Sequence, residues 1–282
     1  MPSQIDLHLH SNASDGTDSP EEILEKVKAL GLKVFALTDH DTITGAMKLK
    51  DLVKKNSDLK FIPGIEFSCR TEKNKCHILG LNYNHEHPAF KEILAAGNNL
   101  RHEKFFKRID FLRDRFNITF TAKEIEDLLK IPSTGKPHLA NLLISKGLAK
   151  TRPEAIENFI DKAKTGNDKV NAADAIKAVK NSGGISVWAH PLGGERESEL
   201  SEKDFYFLLD ELISYGLQGL ECYYSKYDFQ KCQWLEQIAK QKNLFISGGS
   251  DSHGANKNIP IGKLNAENIF VESNLLTVLE NF

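Results

Sequence analysis

Ile5-Asp6-Leu7-His8-Leu9-His10, Ser19-Pro20-Glu21-Glu22 and Val34-Phe35-Ala36-Leu37-Thr38-Asp39-His40 follow one another near the start of the chain, and their reading decides the fold. The first and third are short apolar runs of strand type, bounded by polar turns. The second is a helix start: Ser19 can cap, Pro20 suits the first helical position, and Glu22 stands three residues after the cap. Strand, helix and strand in succession predict a unit whose two strands run parallel. The pattern continues outward. FIPGIEFSC (61–69), HILGLNY (77–83), ISVWAHP (185–191), GLECYY (219–224) and LFISGGSD (244–251) read as further strands, while Thr121…Glu124 and Thr151…Glu154 repeat the capping-box spacing. The expectation is an α/β fold with parallel strands closed into a barrel.

The alternation breaks between about Pro88 and Asn181, where the chain reads as consecutive helices without a strand. With no Gly/Ser-rich or Pro-rich linker to isolate it, this stretch reads as a helical insertion (88–181) on a barrel formed by 1–87 and 182–282. Composition excludes several function classes. The chain has 282 residues, with 37 Lys and Arg against 39 Asp and Glu for a formal charge of -2. Such a balance does not suit coating of duplex nucleic acid or of an anionic membrane by overall charge. No apolar stretch reaches membrane-spanning length and no signal-peptide pattern opens the chain. Four cysteines without a CxxC fit reduced thiols and a cytoplasmic location.

Ten histidines are the unusual entry in the composition. His8 and His10, two residues apart on a strand, share a face and can reach one metal ion. Asp15 follows in SNASDG, His40 closes the second strand, Glu66 lies in the third, His77 opens the fourth, and His190 closes ISVWAHP. Asp251 and His253 repeat the two-residue spacing after LFISGGS. One histidine at a strand end is ordinarily a hydrogen-bonded structural residue. Six, accompanied by carboxylates, at the ends of separate strands that converge on one barrel face, are a multinuclear metal site. Imidazole and carboxylate without thiolate suit Mn²⁺, Zn²⁺ or Fe²⁺. Such a cluster, without an obvious Ser or Cys nucleophile, points to hydrolysis by a metal-bound hydroxide.

These residues resemble the PHP (polymerase and histidinol phosphatase) superfamily. The likeness rests on Asp6-Leu7-His8-Leu9-His10, SDG at 14–16, TDHD at 38–41, PGIEFS around Glu66, HILG at His77, AHP at His190 and GSDSHG through His253. GKPHLANLLISKGLAKTRPEAI in the insertion is similar to the branch containing nucleoside monophosphate and 3′,5′-bisphosphate phosphatases and 5′→3′ exoribonucleases. The resemblance implies a distorted (β/α)7 TIM-like barrel and two or three divalent ions, Mn²⁺ foremost. His8, His10, Glu66 and Asp251 would hold one ion; Glu66 would bridge to a second held with His77 and His190; Asp15, His40 and His253 would hold a third. Catalytic roles are expected for Glu66, Asp251 and His253, the last also as a proton donor to the leaving oxygen. Two positions depart from the branch: Lys136 replaces a frequent Arg, which weakens bidentate phosphate binding, and Ser252 replaces a frequent Phe, a change expected to alter the pocket.

Within the insertion, residues 98–115 carry six Lys or Arg against three acids. Phe105, Ile109, Leu112 and Phe116 form an apolar helical stripe beside a line of Arg101, Lys104, Arg108 and Arg115. With the resemblance, Arg101, Arg108, Lys136 and His138 become expected substrate contacts. The expected enzyme is a metal-dependent phosphoesterase acting on a small phosphorylated partner, a nucleotide or short RNA, without duplex nucleic acid, membrane or protein partner. The alternatives are a phosphatase of a non-nucleotide metabolite such as histidinol phosphate, and a non-catalytic metal-binding module.

Overall fold

The computed structural model describes residues 3–54, 59–166, 169–194 and 199–282. Strands β1 (Ile5–Asp6), β2 (Val34–Leu37), β3 (Lys60–Arg70), β4 (Lys75–Leu81), β6 (Ile185–Trp188), β7 (Gly219–Tyr224) and β8 (Phe245–Gly249) follow one another around a nearly closed barrel. Closure between first and last strands comes from Leu7 N–H to Gly248 O, Asp251 N–H to His8 O, His10 N–H to Ser252 O, and a parallel bridge of Leu9 with Ser252. Gly249 permits this approach, because a Cβ there would lie 2.2 Å from that of His8.

Helices α1 (Pro20–Ala29), α2 (Thr44–Val53), α7 (Ala172–Asn181), α8 (Glu202–Ser214) and α9 (Phe229–Gln241) cover the barrel. Ser19 and Glu22 form the expected capping box on α1. Phe205, Leu208, Leu209 and Leu212 of α8, and Cys232, Leu235, Ile238 and Ala239 of α9, are the buried stripes through which helical periodicity becomes core. No helix among the described residues is long and apolar enough to cross a membrane.

The sheet is not parallel throughout. β4 runs antiparallel to both β3 and β6. Residues 71–74 between β3 and β4 leave room only for a hairpin, whereas a parallel return needs a crossover of about a dozen residues or more. The segment 88–181 also holds a strand that its helical pattern concealed: β5 (Val170–Asn171) pairs parallel with the end of β3. Two residues are too few to show a period.

Within that segment lie α3 (Pro88–Phe116), α4 (Ala122–Leu129), α5 (Lys136–Ser145), α6 (Arg152–Asn158) and α7. Phe105, Ile109, Leu112, Leu139, Leu143 and Ile160 share a core of their own. The flanks, Phe90 and Ile93 before it and Ala172, Ile176 and Val179 after it, belong to the barrel core. Ser133 N–H donates to Ala13 O, and Arg152 reaches the carbonyls of Ala255 and Asn256, so the helices lean over the C-terminal strand ends.

Candidate metal centre

The chain passes the rim of the barrel with its polar side chains turned inward. Glu66 is the hub, 1 % exposed. Its Oε2 lies 3.3 Å from His8 Nε2, 3.2 Å from His10 Nε2 and 3.1 Å from His40 Nδ1; its Oε1 lies 2.9 Å from His77 Nδ1 and 3.1 Å from His190 Nε2. Asp251 Oδ1 stands 3.3 Å from His10 Nε2 and 3.6 Å from His8 Nε2. Asp15 completes the other flank, 3.1 Å from His253 Nε2, 3.8 Å from His10 and 3.9 Å from His40. All nine sequence-derived ligand candidates therefore meet in one place.

Neighbouring residues aim them. Asp39 accepts from Ser11 N–H, Ser11 Oγ and Ser14 Oγ, which fixes the turn that presents Asp15. Gly45 leaves the space for this knot, since its Cβ would fall 2.2 Å from Asp39 Oδ2. Asp41 and Asp251 adopt left-handed backbone, with φ of 51° and 58°, and turn the chain sharply at the rim. His253 Nδ1 lies 2.9 Å from Asp251 O. A carbonyl can only accept, so a proton sits on Nδ1 and Nε2 is the atom turned toward Asp15, where it can serve as a ligand.

The donor set fits divalent ions. His10 Nδ1, Asp15 Oδ1, His40 Nδ1, Glu66 Oε2 and His253 Nε2 are buried without a hydrogen-bond partner. Leaving such atoms unpaired costs about 1–3 kcal/mol each, so five in one cluster call for a cation among them. Three groups (His10, Asp15, His40 and His253; His8, His10 and Glu66; His40, Glu66 and His77) each offer atoms within 4.8 Å of one another. Electrostatics agree. Burial alone would raise the Asp15, Glu66 and Asp251 carboxyls, yet the surrounding imidazoles, with Lys257 foremost at Asp251, hold them well below the usual range. Burial keeps His40, His77 and His253 below the ordinary histidine value. His8 and His10 go the other way: despite burial, Glu221 beside His8, and Asp251 and Glu66 beside His10, push them up, His10 to about 9. Metal binds anionic carboxylates and neutral imidazoles, so the carboxylates and His40, His77 and His253 already stand in the binding state, whereas His8 and His10 must give up a proton to an entering cation.

Above the cluster lies a cavity of about 680 Å³, lined on the insertion side by Arg101, Lys104, Arg108, Lys136 and Arg152. Arg101 is held in place by Asp41, whose Oδ2 accepts from Nη2 at 2.6 Å and from Nε at 3.0 Å. Lys136 pairs with Asp161 of the same wall. His138 does not line the cavity; its Nδ1 accepts from Gly135 N–H at 3.0 Å and so caps the start of α5. Ser252 is turned away as well: its Oγ donates to Ile259 O. Sequence reasoning missed Lys257, 2.7 Å from Asp251 Oδ2, and Lys169, 3.3 Å from His77 Nε2. A single lysine beyond a strand carries no pattern that could have marked it.

The model of the PHP domain family matches residues 6–179. The chain belongs to the PHP domain family. It is 30 % identical over the full length of both chains to a 5′-3′ exoribonuclease of Haemophilus influenzae. A phosphoribosyl 1,2-cyclic phosphate 1,2-diphosphodiesterase of Eggerthella lenta is 28 % identical over 90 % of this chain and 96 % of its own. A 3′,5′-nucleoside bisphosphate phosphatase of Chromobacterium violaceum is 26 % identical over 88 % and 87 %. Among solved structures, a protein assigned as a metal-dependent phosphoesterase from Bifidobacterium adolescentis superposes with a TM-score of 0.79 at 26 % identity, covering 97 % of this chain and 99 % of the other. Family and site together make the chain a hydrolase of phosphoric esters that depends on divalent metal.

Proposed function

We propose that this PHP-family enzyme hydrolyses phosphate esters of small nucleotides, as a nucleoside monophosphate or 3′,5′-bisphosphate phosphatase, as a 5′→3′ exoribonuclease on short oligoribonucleotides, or as both. One observation carries the reading: a carboxylate–imidazole cluster forms the floor of a cavity whose insertion-side wall is basic. In this reading His8, His10, Glu66 and Asp251 hold one ion, Glu66, His77 and His190 a second, and Asp15, His40 and His253 a third, with manganese as the working metal. Bound there, divalent ions supply Lewis-acid stabilisation of charge on phosphoryl oxygens and activation of the attacking water.

The chain's own residues do the rest. Arg101, preset by Asp41, and Arg108 and Lys136 offer charge-assisted bonds to phosphates beyond the scissile one. The 88–181 segment is thus the substrate-recognising part, and it covers the cluster on one side. Binding the second phosphate of a bisphosphate, or the next phosphate of an oligonucleotide, fixes the reacting phosphoryl group over the floor, where orientation lowers the entropic barrier to attack. The buried cysteines Cys69, Cys76, Cys222 and Cys232, none of them in a disulfide, accord with a cytoplasmic place of action.

A panel with added Mn²⁺ tests this: AMP, 3′-phosphoadenosine 5′-phosphate, 5′-phosphorylated di- to pentaribonucleotides, a ribose 1,2-cyclic phosphate and histidinol phosphate. Inorganic phosphate from the first two, or nucleoside 5′-monophosphate from the third, is expected. Turnover confined to histidinol phosphate, or no turnover of any member, contradicts the proposal.

A further inference from the structure

Two side chains in the barrel interior have no place yet in this chemistry. Glu221 is fully buried. Its Oε1 lies 2.9 Å from His8 Nδ1, and its Oε2 accepts His190 N–H at 2.7 Å. Tyr224, also fully buried, donates its hydroxyl to Asp251 Oδ2 at 2.9 Å. Glu221 and Tyr224 are three residues apart, and an unbroken strand would point them to opposite faces. The β7–β8 register shifts between Glu221 and Tyr223, so one extra residue enters the strand there. Cys222 and Tyr223 both face α9, beside Glu236, while Glu221 and Tyr224 both turn inward. A bulge re-aims side chains in this way.

The consequences are chemical. A carboxylate oxygen accepts, so Glu221 holds a proton on His8 Nδ1 and leaves Nε2, which faces Glu66, His10 and Asp251, as the atom that can be deprotonated to bind a cation. The other oxygen anchors the backbone of His190, a non-glycine residue with φ of 33°, just where its ring reaches Glu66. Tyr224 and Lys257 together occupy Asp251 Oδ2, leaving Oδ1 to face His8 and His10. We propose that Glu221 and Tyr224, delivered by the β7 bulge, are positioning residues that act through His8, His190 and Asp251 to fix the atoms facing the metal. This rests on the reading of the cluster as a metal site.

The experiment is calorimetric titration of chelator-stripped protein with MnCl₂, paired with thermal unfolding of the same metal-free samples. In Glu221→Gln the amide has one acceptor for two donors, so either His8 shifts its proton to Nε2 or the His190 N–H loses its anchor. Manganese Kd is expected to rise by roughly 10- to 100-fold, the usual cost of disturbing partners behind metal ligands. Metal-free Tm should stay near wild type, since the change removes a buried charge. Tyr224→Phe removes one hydroxyl and is expected to weaken manganese binding by a smaller factor, and it decides the matter if the Gln variant does not fold. Lower metal-free Tm with unchanged manganese affinity in a folded variant overturns the proposal. Wild-type protein that binds no manganese refutes the metal reading itself; wild-type binding matched by the variants refutes only the positioning roles.

Discussion

Glu66→Gln removes a side chain that touches five imidazoles at once, three through Oε2 and two through Oε1. Metal that binds only the folded state stabilises it by about 2.7 kcal/mol per ion when free metal stands at 100 times Kd. In a chain of this length each kcal/mol moves Tm by roughly 2–3 °C. One ion thus raises Tm by about 5–8 °C and two by about 10–16 °C. The Gln amide puts an NH₂ where a lone pair is needed, facing either the His8–His10–His40 side or the His77–His190 side, so the bridge between two ion positions is lost. The expected manganese-induced rise in the variant is less than half that of wild type. Differential scanning fluorimetry with EDTA and with excess MnCl₂ measures it. The metal-free Tm provides the control: the surrounding imidazoles hold the Glu66 carboxyl well below its usual range, so its charge is net stabilising, the metal-free Tm of the variant is expected to fall, and the manganese-induced rise is read from that lower baseline. A full manganese-induced rise in Glu66→Gln would show that the carboxylate is not a ligand, and the placement of ions around it would be wrong.

Other outcomes follow from the same geometry. His10→Ala and Asp251→Asn should lose bound metal, read by atomic emission, and turnover together; turnover that survives metal loss contradicts the mechanism. Arg101→Ala removes charge-assisted bonds of about 1.5–3 kcal/mol and should raise KM for 3′-phosphoadenosine 5′-phosphate roughly 10- to 100-fold, with a smaller effect on AMP. Equal effects on the two would place Arg101 at the scissile phosphate instead. Burial raises the Asp6 carboxyl from 3.8 to about 6. The protonated form therefore favours the folded state, and this stability is present below the unfolded pKa and lost as pH rises through about 6. In urea unfolding with EDTA, wild-type stability relative to Asp6→Asn should fall by up to about 3 kcal/mol between pH 4 and pH 7. A flat or rising difference would contradict the burial argument.

The histidine pattern was legible because strand geometry is simple. Two residues apart means one face, which brought His8 to His10 and Asp251 to His253, and parallel strands in sequence order brought the pairs together. What alternation could not reveal were the places where the backbone departs from it. Glu221 and Tyr224 share a face only because of a bulge, and the antiparallel β4 arises from a turn too short for a helix. His138 carried the right residue type in a resembling motif, yet backbone geometry at the start of α5 gave it a capping bond. Ser252 stands between two ligand candidates in sequence, yet its hydroxyl is taken by the Ile259 carbonyl. Lys257 and Lys169 reach the cluster from loops and strand starts, where no period constrains a side chain.

The hydrogen bonds that close the barrel between His8 and Asp251, and between His10 and Ser252, have a temporal meaning. During synthesis at about 5–20 residues per second, His253 leaves the ribosome on the order of 10–50 s after His8. Until then the first imidazoles have neither the Asp251 carboxylate nor the last strand beside them. An unfinished chain lacks the full set of donors, so in the three-ion reading the positions that need Asp251 and His253 are completed last.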